Sequence, residues 1–126
     1  MNLRQALRKD RPLLGTFVML PRIEVLEMVA LAGFDVAILD LEHGPFQTSD
    51  LPELAAAAQG AGMFVVARLG DSSETTIGNV LDAGVDGVLV PHVFSDVEAM
   101  RVVRAGRYPP AGNRSLNPYV RGTRYG

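Results

Sequence analysis

Residues Leu31–Pro45 read LAGFDVAILDLEHGP, and their grammar sets the fold. The Ala-Gly pair suits the end of a helix, because a glycine just past the last turn adopts a left-handed backbone without steric cost. The apolar run FDVAIL that follows reads as a strand buried on both faces, the pattern of a parallel sheet. It then stops on Asp40, Glu42 and His43, three groups that apolar packing does not ask for. The same rhythm returns in GAGMFVVARLG (60–70) and DAGVDGVLVPHV (82–93), each with Ala-Gly, an apolar run and a polar or proline end.

Between these runs the spacing predicts helices over Pro21–Leu31, Leu51–Ala61, Ser73–Ala83 and Asp96–Ala105, with an earlier strand over Gly15–Leu20. Asp50 with Glu53, Asp71 with Glu74 and Ser95 with Glu98 have the spacing of a capping box, which marks helix starts. The order is strand then helix, four times, as parallel βαβ packing requires. Such a chain can be a small doubly wound sheet or the first four βα units of a (β/α)8 TIM barrel. The half barrel is favoured because the first strand–helix turn carries no G-x-G-x-x-G or phosphate loop. It is also favoured because the chain closes on a loop, and a complete barrel takes about 250 residues. Residues 1–126 read as a single partial barrel domain, with 106–126 a polar loop leading to an absent second half. That loop carries two adjacent prolines and four arginines counting Arg107.

With 126 residues, 48% of them hydrophobic and 21% charged, the chain can bury a core of its own. A formal net charge of -2 offers no basic footprint for nucleic acid. The charged start MNLRQALRKD does not lead into a signal-peptide core, and no apolar run approaches the roughly 18 residues of a membrane helix. The absence of cysteine excludes disulfides, a thiol nucleophile and a cysteine metal site, and is compatible with a cytoplasmic location. Lys9 is the only lysine and sits in the polar leader, so no Schiff-base lysine is in prospect. Stabilisation of a carbanion would fall to a metal or to arginine.

In parallel α/β folds the C-terminal strand ends carry the site. On that rule the second strand delivers Asp40, Glu42 and His43, the third Arg68, and the fourth Pro91 and His92. In MFVVARLG a guanidinium follows an apolar run, and burying it unpaired is costly. Its partner is a protein carboxylate, with Glu42 a candidate, or a substrate carboxylate or enolate. His43 reads either as a loop histidine bonded to a carbonyl or as a general acid–base oriented by Asp40, which could fold back across Gly44-Pro45. Glu42 reads as solvated or arginine-paired. Asp40, Glu42 and His43 could also hold a metal, although ligands packed so closely on one strand end seldom converge. His92 suits a polar cap on the fourth strand. Asp82 and Asp86 suit helix-end and turn roles, with Asp82 and Glu42 as candidate supporting residues. Arg114, Arg121 and Arg124 read as a solvated face, with contact to an anionic substrate or a subunit as the lesser reading.

The blocks GTFVMLPRIEVLEMVALAGFDVAILDLEHGPF, VVARLG, LDAGVDGVLVPHV and RYPPAGNRS resemble, in order, those of the HpcH/HpaI aldolases. These are metal-dependent pyruvate aldolases of the 2,4-dihydroxyhept-2-ene-1,7-dioate and 2-keto-3-deoxy-sugar-acid type. The resemblance implies a lyase on a (β/α)8 barrel that cleaves 4-hydroxy-2-oxo acids to pyruvate and an aldehyde. It implies His43 as the acid–base at the 4-hydroxyl, Asp40 as its orienting partner and Arg68 as the group that binds the pyruvate oxygen and stabilises the enolate. It further implies a divalent cofactor (Mg²⁺, Mn²⁺ or Co²⁺) held by a Glu and an Asp that lie beyond Gly126, and a homo-oligomer for the full-length protein. This chain alone is therefore expected to be inactive. Two other readings stand beside it: a citrate-lyase-β-like lyase acting on acyl-CoA substrates, and a non-catalytic half barrel serving as a binding or assembly module.

Overall fold

Alternation within the strands explains the architecture. The computed structural model describes all 126 residues. It runs α1 (Leu3–Ala6), β1 (Gly15–Val18), α2 (Ile23–Leu31), β2 (Val36–Asp40), α3 (Leu51–Gly60), β3 (Phe64–Arg68), α4 (Glu74–Asp82), β4 (Gly87–Leu89) and α5 (Asp96–Ala105). The strands form one parallel sheet in the order β1-β2-β3-β4. Ala37 stands opposite Val65, and Leu39 opposite Ala67. All four are fully buried, in one cluster with Leu26, Leu51, Leu54, Ala55, Ala58, Ile77 and Val80 from the helices. Residues of the other parity, Phe17, Ile38, Phe64, Val66 and Leu89, share the opposite face, on which Phe17 is 43% and Leu89 44% exposed.

The helices thus cover one face only. Right-handed crossovers that always advance to the next strand keep their helices on one side, whereas a doubly wound sheet must reverse its strand order to clothe both. This arrangement is the first half of a (β/α)8 barrel, with the bare apolar face as the barrel interior. Its lower end is partly filled by the polar leader, which folds as a short helix. Helix α1, capped by Asn2 through a reciprocal bond with Gln5, presents Leu3 to Gly87, where an added Cβ would lie 3.4 Å from the leucine.

Gly33, Gly62 and Gly84 follow α2, α3 and α4 with φ of 91°, 89° and 90°, the left-handed backbone anticipated after each Ala. The capping signals resolve less uniformly. Ser95 caps α5 by accepting from the Glu98 amide, and Glu98 accepts from the Phe94 amide rather than from that of Ser95. At α4 the cap is Ser73, while Asp71 accepts from the Ser73 amide one step earlier. Asp50 reaches back to the Gln47 amide and closes a 3₁₀ turn at Thr48–Asp50 that leads into α3. In both cases a carboxylate close in sequence, two residues before the amide for Asp71 and three after it for Asp50, was the nearer acceptor for a free amide.

Residues 106–126 are not the solvated loop the composition suggested. The Arg114 side chain is only 9% exposed and bonds Asp82 at 2.5 Å, with its guanidinium over the Tyr108 ring. Arg121 bonds Gln59 at 2.8 Å, and its stem fills the space over Gly84 that a Cβ would occupy. These arginines fasten the segment beneath α4. Arg124 is exposed.

The outer edges of β1 and β4 and the bare inner face leave backbone groups and apolar side chains in water. Studied alone, the 126 residues should self-associate in sedimentation, with slow amide exchange in β2 and β3 and fast exchange in β1 and β4. A monodisperse monomer with all four strands protected would contradict this account.

Candidate active site

The register that pairs Asp40 with Arg68 builds the site. The two residues end adjacent parallel strands on the same face, so their side chains leave the sheet side by side. Arg68 donates Nε to Asp40 Oδ1 at 2.9 Å and Nη2 to Oδ2 at 2.5 Å, a forked pair. Oδ1 also accepts from the backbone amides of Glu42 (3.0 Å) and His43 (3.2 Å), which turns the chain back over the end of β2. Gly44 permits that turn, since a Cβ there would stand 2.4 Å from the Asp40 carbonyl oxygen. The Arg68 guanidinium stacks 4.7 Å above the Phe17 ring from β1.

Asp40 is only 2% exposed, so its charge depends on these partners. The hydrogen bonds from Arg68, aided by the two backbone amides, outweigh burial and hold its carboxyl at about 2. Arg68 is correspondingly raised by Asp40. Because Asp40 is lowered on folding, the stability it contributes is present above pH 4 and is lost as pH falls toward 2.

Glu42 forms the second layer. Its Oε2 lies 3.4 Å from Arg68 Nε, and its Oε1 lies 3.0 Å from His92 Nε2 and 3.6 Å from His43 Nε2. The carboxylate is 11% exposed, whereas the imidazoles of His43 and His92 are 73% and 71% exposed. Contrary to what the sequence led us to expect, Asp40 does not orient the His43 ring. Its carboxylate bonds the backbone amide of His43 and not the imidazole, because Arg68 and two amides already use its acceptors. Arg68 in turn takes Asp40 as its first partner and Glu42 as its second. His92 is more than a strand cap, as it reaches Glu42. Asp82 lies at the last residue of α4, the opposite end of the sheet from this cluster, and serves Arg114 instead.

Phe17 and the Glu42–His92 contact escaped sequence reasoning, since both depend on which strands become neighbours. A weak signal existed in the histidine itself, a residue type enriched at positive φ, and His92 has φ 56°. Asp40, Glu42, His43 and His92 do not make a metal site: no group of three such side chains is placed to hold an ion. Both oxygens of Asp40 are engaged by Arg68.

Replacing Arg68 by Met should destabilise the protein by about 3–5 kcal/mol at pH 7, the usual cost of stranding a buried charge. The penalty should shrink as pH falls from 4 toward 2, where wild type loses the same contribution. Denaturant unfolding of both forms across that range measures it.

The match to known proteins is consistent along the chain. The family model HpcH/HpaI aldolase/citrate lyase matches residues 13–122. The pyruvate aldolase of Rhizobium etli is 36% identical over 126 residues, covering 99% of this chain and 49% of that protein. The crystal structure of an HpcH/HpaI aldolase from Desulfitobacterium hafniense superposes with a TM-score of 0.91 at 28% identity, over 100% of this chain and 49% of that one. The citrate synthase SbnG gives 0.86 at 32% identity, over 93% and 48%. The chain spans about half the length of the relatives it matches. With the family model matched over residues 13–122 and its parallel half barrel superposing on a solved member, this chain belongs to the HpcH/HpaI aldolase/citrate lyase family.

Proposed function

We propose that these residues form the acid–base and oxyanion half of a pyruvate aldolase acting on 4-hydroxy-2-oxo acids. The observation that carries the reading is the forked Asp40–Arg68 pair beside an exposed imidazole at the C-terminal ends of β2 and β3. His43 accepts the proton of the substrate 4-hydroxyl. The O–H electron pair becomes the aldehyde carbonyl as the C3–C4 bond breaks, and the C3–C4 pair moves into the enolate of pyruvate. The negative charge then rests on the C2 oxygen, and protonation at C3 completes the reaction. Arg68 has Nε–H and one Nη2–H committed to carboxylates, so its two Nη1–H donors and the second Nη2–H are left for that oxygen. Asp40 holds the guanidinium plane, and Phe17 supports it from below.

The divalent ion implied by the family resemblance has no ligand set among these residues. The 126 residues alone should therefore release no pyruvate from a 4-hydroxy-2-oxo acid when Mn²⁺, Mg²⁺ or Co²⁺ is added. Brisk metal-stimulated turnover by a chain of verified mass would refute this.

In a full-length chain, His43→Ala should lower kcat by about 10²–10⁴, the range of a lost acid–base group. Arg68→Lys should also be damaging, because an ammonium cannot reproduce the fork. Near-normal kcat in His43→Ala, for cleavage and for condensation, would remove the acid–base assignment. The likeness to a citrate synthase supports a second reading, carbon–carbon chemistry on a different oxo acid or an acyl-CoA partner. Turnover of acyl-CoA thioesters in place of free hydroxy-oxo acids would favour it.

A further inference from the structure

We infer that His92 is a positioning residue that keeps Glu42 away from His43, leaving the His43 Nε2 free to take the substrate proton. The inference rests on the acid–base role proposed for His43. Two imidazoles approach one carboxylate oxygen, Glu42 Oε1: His92 Nε2 at 3.0 Å and His43 Nε2 at 3.6 Å. Only the first is a hydrogen bond. The other oxygen faces Arg68 Nε at 3.4 Å, and Arg68 is itself held by Asp40. Glu42 is mostly buried at the end of β2 and cannot satisfy its oxygens with bulk water as the two exposed imidazoles can. Without His92, the nearest free donor for Oε1 is the imidazole of His43. A carboxylate bonded there would occupy the nitrogen that the chemistry needs.

The backbone supports a dedicated role. His92 adopts φ 56°, a left-handed conformation that a side chain rarely takes, just after Pro91 at the end of β4. This backbone brings a residue from β4 across β3 to a carboxylate from β2. Histidine is among the few non-glycine residue types that tolerate this backbone, and unlike glycine it supplies the donor that Glu42 Oε1 takes.

The test uses the full-length protein and a readout apart from turnover. Diethyl pyrocarbonate acylates free imidazole nitrogen, and peptide mass spectrometry gives the rate at His43 alone. His92→Gly, which suits the left-handed backbone, should slow His43 acylation by at least about threefold, the factor a weak net hydrogen bond is worth. His92→Asn, which tolerates the same backbone and retains a donor, should restore the wild-type rate and most of kcat/KM. In a Glu42→Gln background the His92 substitutions should have no further effect. An unchanged His43 rate in His92→Gly would overturn the inference. So would an equal slowing in His92→Asn, or an effect that persists without Glu42. If His43→Ala proves kinetically silent, the aldolase reading falls, while the acylation rates still report the coupling separately.

Discussion

The forked contact between Asp40 and Arg68 is the interaction on which the upper end of this sheet depends. Each group would be costly to bury alone, and each is placed by parallel register at the same height on neighbouring strands. Once paired, Asp40 has acceptor capacity left for two backbone amides. The turn after β2 therefore folds back instead of projecting into solvent. That turn delivers Glu42 and His43, and Gly44 leaves room for it. One ion pair thus organises a loop, an arginine and a second carboxylate.

The same pair decides what chemistry remains available. Asp40 accepts four hydrogen bonds, two from Arg68 and two from backbone amides, and so holds the guanidinium and the turn together. Arg68 is held in one plane with N–H donors of its terminal nitrogens still uncommitted, a fixed fork that a flexible ammonium cannot reproduce. Glu42 divides its two oxygens between the arginine and the histidines. The two exposed imidazoles differ in their contact with that carboxylate: His92 is hydrogen-bonded to it and His43 stands off at 3.6 Å.

Particular residues show how far pattern reading reached. Gly33, Gly62 and Gly84 were legible as helix ends because their requirement is local, a left-handed backbone after a short helix. Arg68 was legible as needing an anion because an apolar strand gives it no other solution. Its partner was not, since Asp40 and Glu42 are two residues apart and register alone separates them. Arg114 and Arg121 were misread as solvated because composition cannot show that a polar segment packs back under α4. Asp82 was legible as a helix-end residue, but its partner Arg114 was not, because that arginine comes from a segment 32 residues further along the chain.

By itself the sequence determined the succession of strands and helices, the parallel class and the set of charged groups at the strand ends. Those follow from hydrophobic periodicity, glycine geometry and the cost of unpaired charge, all of which act within a few residues. Only the tertiary structure decided that every helix lies on one face, that Asp40 serves Arg68 and not the His43 ring, and that His92 reaches Glu42. These depend on crossover hand and strand register, which place residues 28 and 50 positions apart within a hydrogen bond of each other. No local pattern carries that information, because it arises when the sheet assembles.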